Sequence, residues 1–157
     1  MFENVKMPEG MNPEVLQHLM SPNNYGKMEN HSGVGVAMDE KSGEYVIFYL
    51  LVEEGLITDA KFATNGCQDT LVIGSMYTDM IIKNDLAYAE GAIEKMQDKL
   101  GVMSPQQVIC SEIVFNSFKA AVINDENRKN GMDEEMHSIQ MEESCLTDEE
   151  INGETHE

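Results

Sequence analysis

The stretch that most constrains this chain is residues 58–70, Thr-Asp-Ala-Lys-Phe-Ala-Thr-Asn-Gly-Cys-Gln-Asp-Thr, together with the apolar run behind it. It reads as a strand, a tight turn, a cysteine and then a helix. Ala60 and Phe62 alternate loosely with polar neighbours, as on a half-buried strand. Asn65-Gly66 is a turn dipeptide that supplies positive φ at little cost. Val72, Met76 and Met80 then recur every four residues with Ile73, Tyr77 and Ile81 beside them, a broad apolar helical face. Cys67 thus falls in the first turn of a helix, where unpaired N–H groups and the macrodipole favour a thiolate. Its alternatives are a metal ligand, a nucleophile, or a small buried residue in a strand–helix joint.

Cys110 is the candidate partner. It lies in Met103-Ser-Pro-Gln-Gln-Val-Ile-Cys110, just ahead of Val114, Phe118, Ala121 and Val122, and is expected at the start of another helix behind a proline-containing connection. Two cysteines at two helix starts suit a thiolate site if the fold brings those ends together.

At these residues the chain resembles the NifU/IscU-type iron–sulfur cluster assembly scaffolds, from about Glu14 to about Asn124. The resemblance runs through Val15-x-x-His18-x-x-x-Pro22-x-Asn24-x-Gly26, Gly33-Val-Gly-Val36, Glu53-Glu54-Gly55, Asp59-Ala-Lys-Phe62, Gly66-Cys67, and Pro105 five residues before Cys110. It implies a scaffold that is not an enzyme, with a cysteine desulfurase and cluster-accepting proteins as partners. It also implies a metal site of three cysteines and one acidic residue. In the resemblance Lys41 stands where the first cysteine is expected, Gly43 where the aspartate is, and Ile109 where a histidine often precedes the last cysteine. The implied ligands are then Cys67 and Cys110, with Asp69 and Asp39 as weaker candidates and Cys110 as the sulfur acceptor. The cargo is an iron–sulfur cluster, held transiently, or zinc.

The patterning fits an α+β fold, a three-stranded antiparallel sheet with four or five helices packed against it. Strands are expected over 33–38, 45–52 and 56–64, the second so apolar that it should be central or covered on both faces. Helices are expected from Asn12-Pro13 to about Met20, from Gln68 to about Lys83, from Asp85 (capped by Asn84) to about Lys99, and from Cys110 to about Asn124. Residues 1–10 read as a flexible lead-in and 11–128 as the scaffold-like domain. Residues 129–157 read as a disordered acidic tail, because 131–157 holds ten acidic residues and no Lys or Arg. Cys145, in that tail, is expected to be a surface thiol.

Composition bounds the partners. A net charge of −19 over 157 residues argues against nucleic acid, whose phosphates would be repelled. No apolar run is long enough for a membrane helix, and no export signal is visible. Three cysteines without framework spacing point to a reducing cytoplasm. Thirteen methionines and no Trp suggest a Met-rich, adaptable core. A homo-oligomer stays open.

Overall fold

The computed structural model describes residues 13–101 and 104–141. Asn12, the segment 1–10 and Cys145 therefore lie outside the described residues. The elements run α1 (Pro13–Met20), β1 (Gly33–Asp39), β2 (Glu44–Glu53), β3 (Leu56–Thr64), α2 (Gln68–Ile81), α3 (Leu86–Leu100), α4 (Pro105–Lys129) and β4 (His137–Gln140). The α+β class and all three expected strands are present.

The sheet has four strands in the order β3-β2-β1-β4. β2 pairs antiparallel with both β1 and β3, and β4 adds a parallel edge to β1, from Gly35↔His137 to Met38↔Gln140. The expectation of three strands is corrected by β4. Four residues inside an acidic stretch carry too short an alternation to register as a strand. They are ordered by backbone pairing and by the turn before them. There Glu134 accepts hydrogen bonds from Asn124 and Asn127, and Arg128 donates to the Glu134 and Glu135 carbonyls. The segment as far as Met141 is thus docked, and only 142–157 lies outside the described residues.

β2 is central, fully buried on its helix-facing side and partly covered on the other, where Tyr45 stays exposed. Val46, Phe48 and Leu50 are fully buried toward the helices, and Tyr49 packs with Met28 and Val34 on the other side. The turn to β3 is tight because Glu54 and Gly55 both take positive φ, at 52° and 82°. The core is more aromatic than methionine-rich. Phe48, Tyr77, Phe115 and Phe118 pack edge-on or stacked at centroid distances of 5.5–6.3 Å. Met28, Met76 and Met96 are buried, while Met20, Met38, Met132 and Met136 are exposed.

Two helix starts differ from their expected places. α3 is capped by Asp85, whose side chain accepts from Tyr88 N at 2.8 Å; Asn84 instead donates back to the Met80 carbonyl. α4 begins five residues before Cys110. Ser104 and Gln107 form a reciprocal capping box with Pro105 in the first turn, so the proline opens the helix rather than marking a connection. Cys110 therefore lies in the second turn of α4 and points into the core, 0% exposed. The register of α4 against β1 is fixed by Gly35, where a Cβ would stand 2.1 Å from Ala121 N. This close approach is what the strand glycines predict.

Candidate metal centre

Three local arrangements bring Cys67 and Cys110 together. First, β3 delivers the chain to a turn held against the β1–β2 hairpin by Asn65. Its Oδ1 accepts from Tyr45 N at 2.8 Å and its Nδ2 donates to the Gly43 carbonyl at 3.0 Å. Second, Cys67 ends that turn as the N-cap of α2, with extended φ and ψ of −79° and −179°. Third, the α4 start is tied to the α2 start by Gln107, which donates to Asp69 Oδ1 at 3.3 Å. The outcome is a Cys67 Sγ–Cys110 Sγ distance of 4.0 Å. Two thiolates on one tetrahedral ion at about 2.3 Å would stand about 3.8 Å apart, so the pair fits one ion with almost no movement.

The two sulfurs differ in access. Cys67 is exposed and Cys110 is buried. A groove of about 330 Å³ lined by Pro22, Tyr25, Thr64, Gly66, Cys67, Gln68 and Leu71 opens beside Cys67. The expected activation of Cys67 by the helix end is overturned. Its thiol is pushed up well beyond the ordinary cysteine range, first by its hydrogen bond with Cys110 and then by burial; Thr70 opposes this only in part. Without a metal, the pair is a thiol pair.

A third donor went unnoticed in the sequence. Glu44, Cys67 and Cys110 each offer one ligand atom, and these atoms lie within 4.8 Å of one another. Among the described residues this is the group of His, Cys, Asp or Glu that comes together at such distances. Glu44 opens β2 opposite Asp39, the last pair before the hairpin loop. Its carboxylate accepts from Thr70 Oγ1 at 2.6 Å. Gly66 gives it room, since a Cβ there would sit 2.0 Å from Glu44 Oε2. Gly66 has no positive φ, so the turn needs this glycine for space rather than for backbone freedom. A signal was present in the sequence, because Glu44 is an acid directly ahead of the apolar run 45–52.

The remaining candidates are placed elsewhere. Asp69 turns to Gln107. Asp39 is buried and accepts from Lys41 N and Ser42 Oγ inside its own loop. Lys41 is exposed, and Gly43 holds the loop with φ of 80°. Ile109 packs half-buried against the core. His18, in α1, is 6% exposed, with Nδ1 2.5 Å from Ser75 Oγ.

A mixed four-stranded sheet backed by helices brings two thiols from α2 and α4 and a carboxylate from β2 together, which defines an α+β protein with a candidate metal site. Residues 11–132 match the NifU-like N terminal domain, and the chain belongs to that family. It is 31% identical over 149 residues to the iron–sulfur cluster assembly scaffold protein IscU of Aquifex aeolicus, covering 93% of this chain and 92% of that one. It is 28% identical over 120 residues to the scaffold protein IscU of Azotobacter vinelandii, covering 74% and 94%. The crystal structure of a putative iron–sulfur cluster assembly scaffold protein for the SUF system from Fervidobacterium islandicum superposes with a TM-score of 0.57 at 18% identity, over 70% of this chain and 94% of that one. At that identity the superposition speaks for the fold alone. The chain is a NifU/IscU-type scaffold protein in family and fold. Among the described residues no helix is long and apolar enough to cross a membrane.

Proposed function

We propose that this chain collects iron and sulfide at the Cys67–Cys110 pair as cargo, taking sulfur from a cysteine desulfurase and passing the assembled cluster to acceptor proteins. The observation that carries this reading is the 4.0 Å sulfur pair, with one thiol at the surface and one in the core. The protein acts as a carrier and turns over no substrate of its own. Its thiols must stay reduced to serve, which suits the cytoplasm.

The difference in exposure moves sulfur entry to Cys67, because Cys110 is closed off by the packing of α4. Metal binding takes Cys67 as its thiolate, and a Cys67 thiolate is the competent nucleophile. It attacks the outer sulfur of a donor persulfide; the donor's S–S bond breaks, the donor leaves as its thiolate, and the sulfur now on Cys67 is released as sulfide only when a two-electron reductant from outside the persulfide cleaves the new S–S bond.

The position of Lys41 favours a second reading, a zinc-binding or interaction protein that keeps desulfurase or partner contacts without assembling clusters. Anaerobic reconstitution with ferrous iron and sulfide, followed by desalting, separates the two. The scaffold reading expects iron and sulfide retained together, with visible charge-transfer absorbance lost in Cys67→Ser and in Cys110→Ser. Iron retained without sulfide, or no iron retained, would favour the second reading instead.

A further inference from the structure

We propose that Cys110 is the resolving thiol for sulfur carried on Cys67. It attacks the Cys67 persulfide at its inner sulfur, releases the outer sulfur as sulfide and closes a Cys67–Cys110 disulfide. This rests on the scaffold reading for sulfur entry at Cys67 and adds the source of the two electrons that release requires.

Three observations converge on it. Cys110 Sγ stands 4.0 Å from Cys67 Sγ, so the nucleophile is already in contact with the atom it must attack. The approach is one-sided: Cys110 is buried in the core, while Cys67 is exposed and lines the groove beside Tyr25, Thr64 and Leu71. A sulfur added to Cys67 finds its room in that groove, leaving Cys110 on the core side of the inner sulfur. Attack on a sulfur–sulfur bond runs in line, and which sulfur is attacked decides the product. Here the inner sulfur lies next to Cys110 and the outer one points away toward solvent. The third observation is that one partner is able to move. Cys67 is the N-cap of α2, with extended backbone and no hydrogen bond from its side chain to the helix end. Cys110 lies inside α4, whose start is fixed by the Ser104–Gln107 box. Closing from contact to bond distance thus falls on a side chain at a turn, not on two packed helices.

The step balances without an added reductant. The Cys110 sulfur gives an electron pair to Cys67 Sγ, the bond between inner and outer sulfur breaks, and the outer sulfur leaves with that bond's pair as hydrosulfide. The proton of the Cys110 thiol goes to the hydrosulfide. Counted from the free thiol pair and a zero-valent sulfur, the two thiols together lose two electrons and the transferred sulfur gains two. Hydrosulfide is a weaker base than an alkyl thiolate, so it is the better leaving group. A reduced pair therefore yields one sulfide per chain and stops. A dithiol reductant resets it by exchange with the disulfide, and only the reset pair offers two thiolates to a metal. Sulfide release and metal binding become successive states of the same two residues.

The test is a single turnover of the full chain, reduced, metal-free and anaerobic, with glutathione persulfide as donor and rapid desalting. It is read by released sulfide and by intact-protein mass. The wild type should release one sulfide per chain and end lighter by two hydrogens, with the disulfide mapped to Cys67 and Cys110. Cys110→Ser should keep the extra sulfur on Cys67, and its sulfide release should slow about 100-fold or more as the adjacent nucleophile is lost. Cys110→Ala, which buries no new hydroxyl, should behave the same, with circular dichroism reporting the fold of both variants. Cys145→Ser should release sulfide as the wild type does. Undiminished release in either folded Cys110 variant, a disulfide to Cys145 in place of Cys110, or a wild type that holds its sulfur unreleased would overturn the proposal. A wild type that takes no sulfur onto Cys67 would overturn it together with sulfur entry at that residue. Retention of iron with inorganic sulfide does not pass through this step, so the scaffold reading stands or falls separately.

Discussion

Two glutamates at opposite parts of the sheet show how surroundings decide what a carboxylate is for. Glu134 precedes β4 and is saturated. Asn124 and Asn127 donate to Oε1 at 3.0 and 2.9 Å, and His137 Nδ1 lies 3.0 Å from Oε2. These partners, Asn127 foremost, hold its pKa at about 2, and its charge is used up in fastening the tail to α4. Among the described residues Glu44 accepts from one hydroxyl, that of Thr70, and has two thiols within 4.8 Å. A fully satisfied carboxylate is a staple. One held by a single donor beside two sulfurs is placed for a cation.

The largest expected effect is on the sulfur side of that contrast. Cys67→Ser and Cys110→Ser should each lower retained iron about 100-fold or more, measured by metal analysis after desalting, because two soft donors define the site. Retention unchanged in either variant would break the pairing of the two helix starts.

The Glu134 region gives the next largest effect. A chain ending at Met132 loses β4 and leaves the fully buried Asn124 amide without its acceptors. An unsatisfied buried amide costs about 1–3 kcal/mol, so the melting temperature should drop by several degrees. A chain ending at Met141 keeps every contact described and should melt near the full-length value. Equal melting of both truncations would mean that β4 contributes nothing.

Lys41→Cys sharpens the comparison from the loop between Asp39 and Glu44. It removes a cation and adds a soft donor in the loop that leads to Glu44, so iron and sulfide retained after reconstitution should rise a few-fold. Adding Gly43→Asp should contribute little more, because the loop holds residue 43 at φ of 80°, where a side chain is strained. No gain from Lys41→Cys would mean that Glu44 already completes the set.

The smallest effect is that of acid. Glu134 is depressed in the folded chain, so its stabilising contribution is present above the ordinary value of 4.5 and is lost as pH falls toward about 2. Glu134→Gln should flatten the dependence of melting temperature on pH in that window. An unchanged slope would assign acid sensitivity to other carboxylates.

Local chemistry made much of the fold legible. β3 spans Leu56–Thr64 as its turn and alternation indicate, and α2 buries Val72, Ile73, Met76, Tyr77 and Ile81, the stripe its periodicity marks. The failures have two causes, a local motif open to two readings and features whose meaning depends on a distant partner. Pro105 fits both a connection and a helix opening, and the Ser104–Gln107 box decides. His137–Gln140 becomes a strand only because β1 offers an edge. Within the site, the cysteine pair was visible from its two helix contexts. Glu44 was not, since its approach to Cys67 depends on the hairpin register and on the space at Gly66. Asp69, the acid nearest Cys67 in sequence, faces Gln107 instead.

The most direct test of the mixed-donor centre is X-ray absorption fine structure at the metal edge of the Zn(II)-loaded protein. Two sulfur scatterers at about 2.3 Å and oxygen at about 2.0–2.2 Å are expected, with one oxygen contribution lost in Glu44→Cys as a third sulfur appears. A shell of oxygen and nitrogen alone, or a single sulfur, would contradict the convergence of Cys67, Cys110 and Glu44 on one ion.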